Sequence, residues 1–93
     1  MPLFRNAPRG TLWVFVRGRT VEAARGADIE IVEPRRKARA DHGEAGGGGY
    51  WWAVFERLPY ADYTVRVRFP DGGLRESRVA FSDRRDQVRV DEP

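Results

Sequence analysis

The chain has 93 residues, enough for one small domain that buries roughly 60–65% of its unfolded surface. It has no cysteine, which excludes disulfides and thiolate metal sites, and its one histidine, His42, cannot build a zinc site without several carboxylate partners. The net charge is only +3, no run approaches the ~20 apolar residues of a membrane span, and "MPLFRNAPRG" lacks the apolar stretch of a signal peptide. The expected location is cytoplasmic, or outside the cell by a route that needs no cleavable signal.

Short alternating runs recur, Tyr50 to Phe55 is apolar on both faces, and no segment repeats apolar residues at helical spacing. In chain order, "TLWVFVR" (Thr11 to Arg17) reads as the first strand and "ADIEIVE" (Ala27 to Glu33) as the second, ended by Pro34. Residues 34–49, "PRRKARADHGEAGGGG", read as a mobile, glycine-rich loop with room for a short edge strand around Lys37 to Ala40. "YWWAVFE", "DYTVRVRF", "LRESRVAF" and "DQVRVD" follow, with "PDGG" as a strong hairpin turn. Six clear strands, with a seventh at the edge, predict an all-β, antiparallel seven-stranded sandwich over residues 11–91, preceded by a tail at 1–10. Alternation places Leu12, Val14, Val16, Ile29, Ile31, Tyr63, Val65, Val67, Val79, Phe81, Val88 and Val90 inside.

"GADIEIVE" followed by "GGYWWAVFERLPYADYTVRV" resembles the carboxypeptidase regulatory-like domains, whose sandwich is transthyretin-like. Gly26, Ala27, Ile29 and Ile31 match one part of that pattern; Gly49, Leu58, Pro59, Tyr63, Val65 and Val67 match the other. Asp62 stands where the family usually has glycine. The resemblance implies an immunoglobulin-like or transthyretin-like sandwich. It also implies that Leu58 closes the core and that the Tyr63 hydroxyl points at a nearby backbone group, much like a tyrosine corner. The role it implies is a non-catalytic accessory module.

Enzymatic readings find no support in the residues. The hydroxyisourate hydrolases of this fold use several histidines and a Tyr-Arg-Gly-Ser-like tail, whereas this chain ends "DQVRVDEP". A Lys–Asn isopeptide bond would have to use Lys37 and Asn6, in the loop and the tail. Ser77 or Ser82 with His42 and an aspartate has no nucleophile motif around it. "GGGG" lacks the Lys-Ser/Thr of a phosphate loop and precedes a strand. No catalytic residue, metal or cofactor is expected.

The aromatic residues carry the functional expectation. With Leu12, Val14 and Val16 inside, Trp13 and Phe15 face out; with Trp51, Ala53 and Phe55 inside, Tyr50, Trp52 and Val54 face out. The family resemblance makes these two strands neighbours, so Trp13, Phe15, Tyr50, Trp52 and Val54 share one outer face. Such a face implies a protein partner or self-association, unless the N-terminal tail with Leu3 and Phe4 folds over it. The alternative is a carbohydrate-binding module that stacks sugars on the exposed rings. Arg66, Arg68, Arg78 and Arg89 alternate with acids, which favours cross-strand pairing with Glu30, Glu76 and Asp91 over a nucleic-acid surface.

Overall fold

The computed structural model describes residues 8–20, 23–32, 36–40, 42–43 and 50–92. The strands are β1 (Arg9–Arg17), β2 (Asp28–Ile31), β3 (Arg36–Arg39), the two-residue β4 (His42–Gly43), β5 (Tyr50–Pro59), β6 (Ala61–Arg68), β7 (Leu74–Phe81) and β8 (Arg85–Asp91). They form an open β-sandwich of two packed sheets. Sheet I runs β4–β5–β1–β8 and sheet II runs β3–β2–β6–β7.

Period-two alternation builds the core directly. Leu12, Val14 and Val16 of β1 are fully buried, as are Ile29 and Ile31 of β2 and Val65 and Val67 of β6. Ala53, Phe55, Leu58, Tyr63, Phe81 and Val90 complete the two inner faces, with Val79 and Val88 half-buried at the margin. Each large apolar side chain withdrawn from water contributes about 1.5–3 kcal/mol against the entropy of ordering the chain.

Phe55 and Leu58 both point inward although they are an odd number of residues apart. A β-bulge resolves the parity: Leu12 opposes Phe55, but Gly10 opposes Leu58, so β5 spends one more residue than β1 between these pairs. Arg57 absorbs the turn of the backbone with φ +55°, a left-handed value that costs a residue with a Cβ. Beyond the bulge the chain crosses from sheet I to sheet II at Tyr60, and the Tyr63 hydroxyl donates to the Pro59 carbonyl. The ring of Tyr63 is buried beside Phe81, with 6.4 Å between centroids.

One expectation needs correction. The sandwich is not wholly antiparallel, because β8 pairs with β1 in parallel, from Thr11↔Arg85 to Arg17↔Asp91. Alternation records which face a side chain takes, not which way a neighbouring strand runs, so the sequence pattern could not disclose this. Within residues 34–49, Arg36–Arg39 is a strand paired antiparallel with β2, and His42–Gly43 pairs with β5. The edge strand expected around Lys37 to Ala40 therefore exists one residue earlier. The expected mobility of the remaining stretch falls on residues that lie outside those described, as does any cover from Leu3 and Phe4.

The core also holds Phe69, Ala24, Ala27 and Ala40, which are not among the inward residues assigned by alternation. Phe69 continues the odd-numbered series of β6 past the end of its ladder. The alanines close one end of the sandwich around a turn: the Gly26 N–H donates to the Ala40 carbonyl at 2.9 Å, and the Ala40 N–H donates to Ala27 at 2.9 Å.

Candidate interaction face

The register of β1 against β5 sets the outer face of sheet I. Trp13 lies opposite Val54, Phe15 opposite Trp52, and Arg17 opposite Tyr50. Since Leu12, Val14 and Val16 point inward, these partners share the outer side. The structure brings Trp13, Phe15, Tyr50, Trp52 and Val54 onto one face.

Their rings touch in a connected cluster. Phe15 is its centre, with ring centroids 6.3 Å from Trp13, 5.8 Å from Trp52 and 6.3 Å from Tyr50. Trp13 and Phe15 are nearly parallel, at 12°, whereas Tyr50 meets Phe15 edge-on at 88°. These separations fall within the range of favourable aromatic pairs. Because the rings cover one another, all five residues are half-buried, and the only widely exposed large apolar side chain among the described residues is Leu74, on β7. The face is thus apolar and preformed.

Trp51 takes the opposite side. It packs against the core, with the Arg25 guanidinium 5.4 Å from its ring centroid. Gly43 of β4 lies beneath the indole, where a Cβ would overlap the Trp51 ring, so β4 can approach this closely only as glycine.

The parallel partner β8 supplies the polar border of the face. Gln87 lies opposite Trp13, Arg89 opposite Phe15, and Arg85 opposite Thr11. Arg17 and Arg89 both lie over Tyr50, with Cζ atoms 5.3 Å and 5.8 Å from its centroid, a cation–π arrangement. Arg17 also pairs with Asp91 at 3.8 Å. A shallow groove of about 270 Å³ runs between Trp13, Phe15, Arg85, Asp86 and Gln87. Nothing in the local sequence places Gln87 beside these aromatics, because β8 is distant in sequence and reaches β1 only through the parallel pairing.

Sheet II presents a different surface. Arg66 binds Glu76 at 2.8 Å and lies 3.6 Å from Glu30, Lys37 is 3.9 Å from Glu30, and Arg39 is 3.5 Å from Asp28. Acid and base alternate across the ladder, so the charge is largely cancelled. A second groove, of about 420 Å³, is lined by Asp28, Glu30, Lys37, Arg66 and Arg68 and shares this mixed character.

His42 and Ser77, the pieces of the chance Ser/His set, sit on β4 and β7, in different sheets. β4 extends sheet I where β5 approaches β3, whereas β7 approaches β8 on the other flank. Among the described residues no group of His, Asp and Glu is placed to hold a metal ion. Neither family models nor curated proteins give a match to the chain.

Proposed function

We propose that this domain is a non-catalytic accessory module of the carboxypeptidase regulatory-like type, which docks on a partner protein through the outer face of sheet I. The observation that carries the reading is the contiguous cluster of Trp13, Phe15, Tyr50 and Trp52 on the outer side of a sheet, with an arginine and glutamine border. Buried aromatic anchors ringed by polar groups are the usual centre of a protein interface. The family assignment is supported by the pairing of β1 with β5, the hydrogen bond from Tyr63 to Pro59, and the buried Leu58 at the end of the core.

The test is the double substitution Trp13→Ser with Trp52→Ser. Both side chains lie outside the core, so circular dichroism should stay unchanged, while the complex seen by light scattering or co-purification should be lost. A wild-type protein that is monomeric and keeps no partner would overturn the reading.

The groove beside Trp13 and Phe15 favours one second reading, a carbohydrate-binding module. It combines a nearly parallel ring pair with the Gln87 amide and the Arg85 guanidinium, the combination a sugar face and its hydroxyls need. Binding to a glycan array, abolished by Trp13→Ser and Gln87→Ala, would replace the first reading.

A further inference from the structure

Sheet II ends on an open edge at β7. The Val32 N–H donates to the Thr64 carbonyl at 3.2 Å, and the Phe69 N–H donates to the Gly73 carbonyl at 2.8 Å. In an antiparallel strand the N–H and C=O of one residue point to the same side, and the side alternates along the chain. Even-numbered residues of β6 therefore bond to β2, and odd-numbered ones bond to β7. Thr64 lies opposite Arg78, so the N–H and C=O of Leu74, Glu76, Arg78 and Ala80 point away from the sheet. Among the described residues nothing bonds to these main-chain groups.

The other edges are short or blunted. β4 has two residues, and β3 has four, among them Lys37 and Arg39. On β8 the even-numbered residues bond to β1, beginning with the Arg84 carbonyl and the Thr11 N–H. The outward Gln87 N–H donates instead to the Asp86 carboxylate at 2.8 Å. β7 has eight residues, "LRESRVAF", with no proline, glycine or lysine and no break in its register with β6. It also carries the exposed Leu74.

A row of alternating charge crosses sheet II and stops at this edge. Lys37 opposes Glu30, Glu30 opposes Arg66, and Arg66 opposes Glu76. Arg66 holds Glu76 through a single carboxylate oxygen, Oε2, at 2.8 Å from both Nε and Nη2. Among the described residues Oε1 has no cationic partner, and the neighbouring Arg78 has no acidic one.

β7 is complementary to itself. When it is laid antiparallel against its own copy, free N–H meets free C=O only where even-numbered residues face even-numbered ones. Centred on Ser77, that pairing sets Glu76 opposite Arg78 of the second copy, Arg78 opposite Glu76 of the second copy, and Leu74 opposite Ala80 of the second copy. A shift of two residues either way keeps the hydrogen bonds but sets Glu76 against Glu76 or Arg78 against Arg78, and like charges directly opposite destabilise a strand pair. On the inner side Arg75 lies opposite the half-buried Val79 of the second copy, with its stem over the valine and its charge in water. Such a contact uses the same strand on both copies, so it closes as a pair.

From these features we infer that β7 pairs with β7 of a second copy, joining the two copies of sheet II into one continuous sheet, with Glu76 and Arg78 setting the register. This surface is separate from the docking face on sheet I. Sedimentation of the full chain at concentrations up to about 1 mM should show a dimer of twice the 10.7 kDa chain mass. Arg78→Glu breaks no described ion pair and should weaken the dimer about tenfold or more, as should Glu76→Arg. Mixed in equal amounts, the two variants should recover the lost affinity, because both cross-strand pairs are again of opposite sign. Amide exchange at Glu76 and Arg78 should slow as the wild-type concentration rises. Arg78→Glu and the amide exchange decide the matter even where Glu76→Arg unfolds the chain by circular dichroism. A chain that stays monomeric, a folded mixture no tighter than either variant alone, or a dimer in which these amides exchange as in the monomer would overturn the inference. Trp13→Ser with Trp52→Ser should leave the dimer intact. A dimer lost through that change would place self-association on sheet I and overturn the inference as well.

Discussion

The guanidinium of Arg36 donates a hydrogen bond to the Glu56 carbonyl at 2.9 Å, so the edge of sheet II is tied to the bulge of sheet I. Bulged residues leave the ladder, and this carbonyl takes a side-chain donor in its place. The same guanidinium lies 5.8 Å from the Phe55 ring centroid. Arg36→Met keeps most of the stem and removes the donor. It should lower stability by about 1 kcal/mol, typical of a net hydrogen bond, and speed amide exchange in β3. Urea denaturation and hydrogen exchange check this; an unchanged midpoint with unchanged exchange would show that the tie contributes nothing.

Arg57 offers the opposite sign. Its φ of +55° is a value at which a Cβ costs about 1–2 kcal/mol, and glycine avoids that strain while adding about 0.5–1 kcal/mol of unfolded-state entropy. Arg57→Gly should raise stability by about 0.5 kcal/mol or slightly more, visible as a higher urea midpoint with the slope unchanged. A fall of 1 kcal/mol would mean that the Arg57 side chain supports the bulge by contacts that outweigh the strain.

Tyr63 ties packing to pH. Burial pushes its hydroxyl above the ordinary tyrosine value near 10, while Arg36 and then Arg9 draw it partly back. The folded state therefore holds this proton more tightly than the unfolded chain. The associated stability is fully present below pH about 10 and is lost as pH rises through the folded-state value. Tyr63→Phe should cost about 1 kcal/mol at neutral pH through the Pro59 hydrogen bond and flatten the alkaline limb of the stability curve. Tyr63→Ala should cost on the order of 3 kcal/mol at any pH in the neutral range. A Phe variant with the wild-type alkaline limb would assign that limb to other groups.

Gly10 tests a backbone crossing. A Cβ there would lie 2.6 Å from the Arg84 carbonyl oxygen and 2.7 Å from that of Asp83. Both are main-chain atoms of the β7–β8 turn, next to the bond from the Thr11 N–H to the Arg84 carbonyl. Elsewhere in a strand, Gly→Ala is a gain; here Gly10→Ala should lose roughly 1–3 kcal/mol because the turn must move. Thermal unfolding decides the sign.

The inner faces of sheet II were legible because one sheet side is wet and the other dry, which writes period two into "YTVRVRF"; in "TLWVFVR" both sides are apolar, and the aliphatic Leu12, Val14 and Val16 mark the inner side against the rings of Trp13 and Phe15. The aromatic group of Trp13, Phe15, Tyr50, Trp52 and Val54 was legible for the same reason, once a neighbour relation was supplied by the family resemblance. The bulge at Arg57 was not, since an arginine, not a glycine, takes the left-handed backbone there. Nor was the contribution of Gln87 and Arg89, because parallel pairing between the first and last strands leaves no local trace. β3 was faint because "RKAR" has only Ala38 to lean on the core.

The parallel pairing of β1 with β8 also fixes how the fold carries load. Arg9 begins its strand at the pole where β8 begins, and Asp91 ends at the pole where β1 ends. Tension applied between Arg9 and Asp91 runs along both strands in opposite directions. It strains the whole ladder at once, including the bonds from Thr11 N–H to the Arg84 carbonyl and from Glu92 N–H to the Arg17 carbonyl at its two ends. A hairpin pulled apart at its open end would release one bond after another. Here the bonds share the force in shear, so the domain should resist stretching between Arg9 and Asp91 more strongly than its modest size suggests.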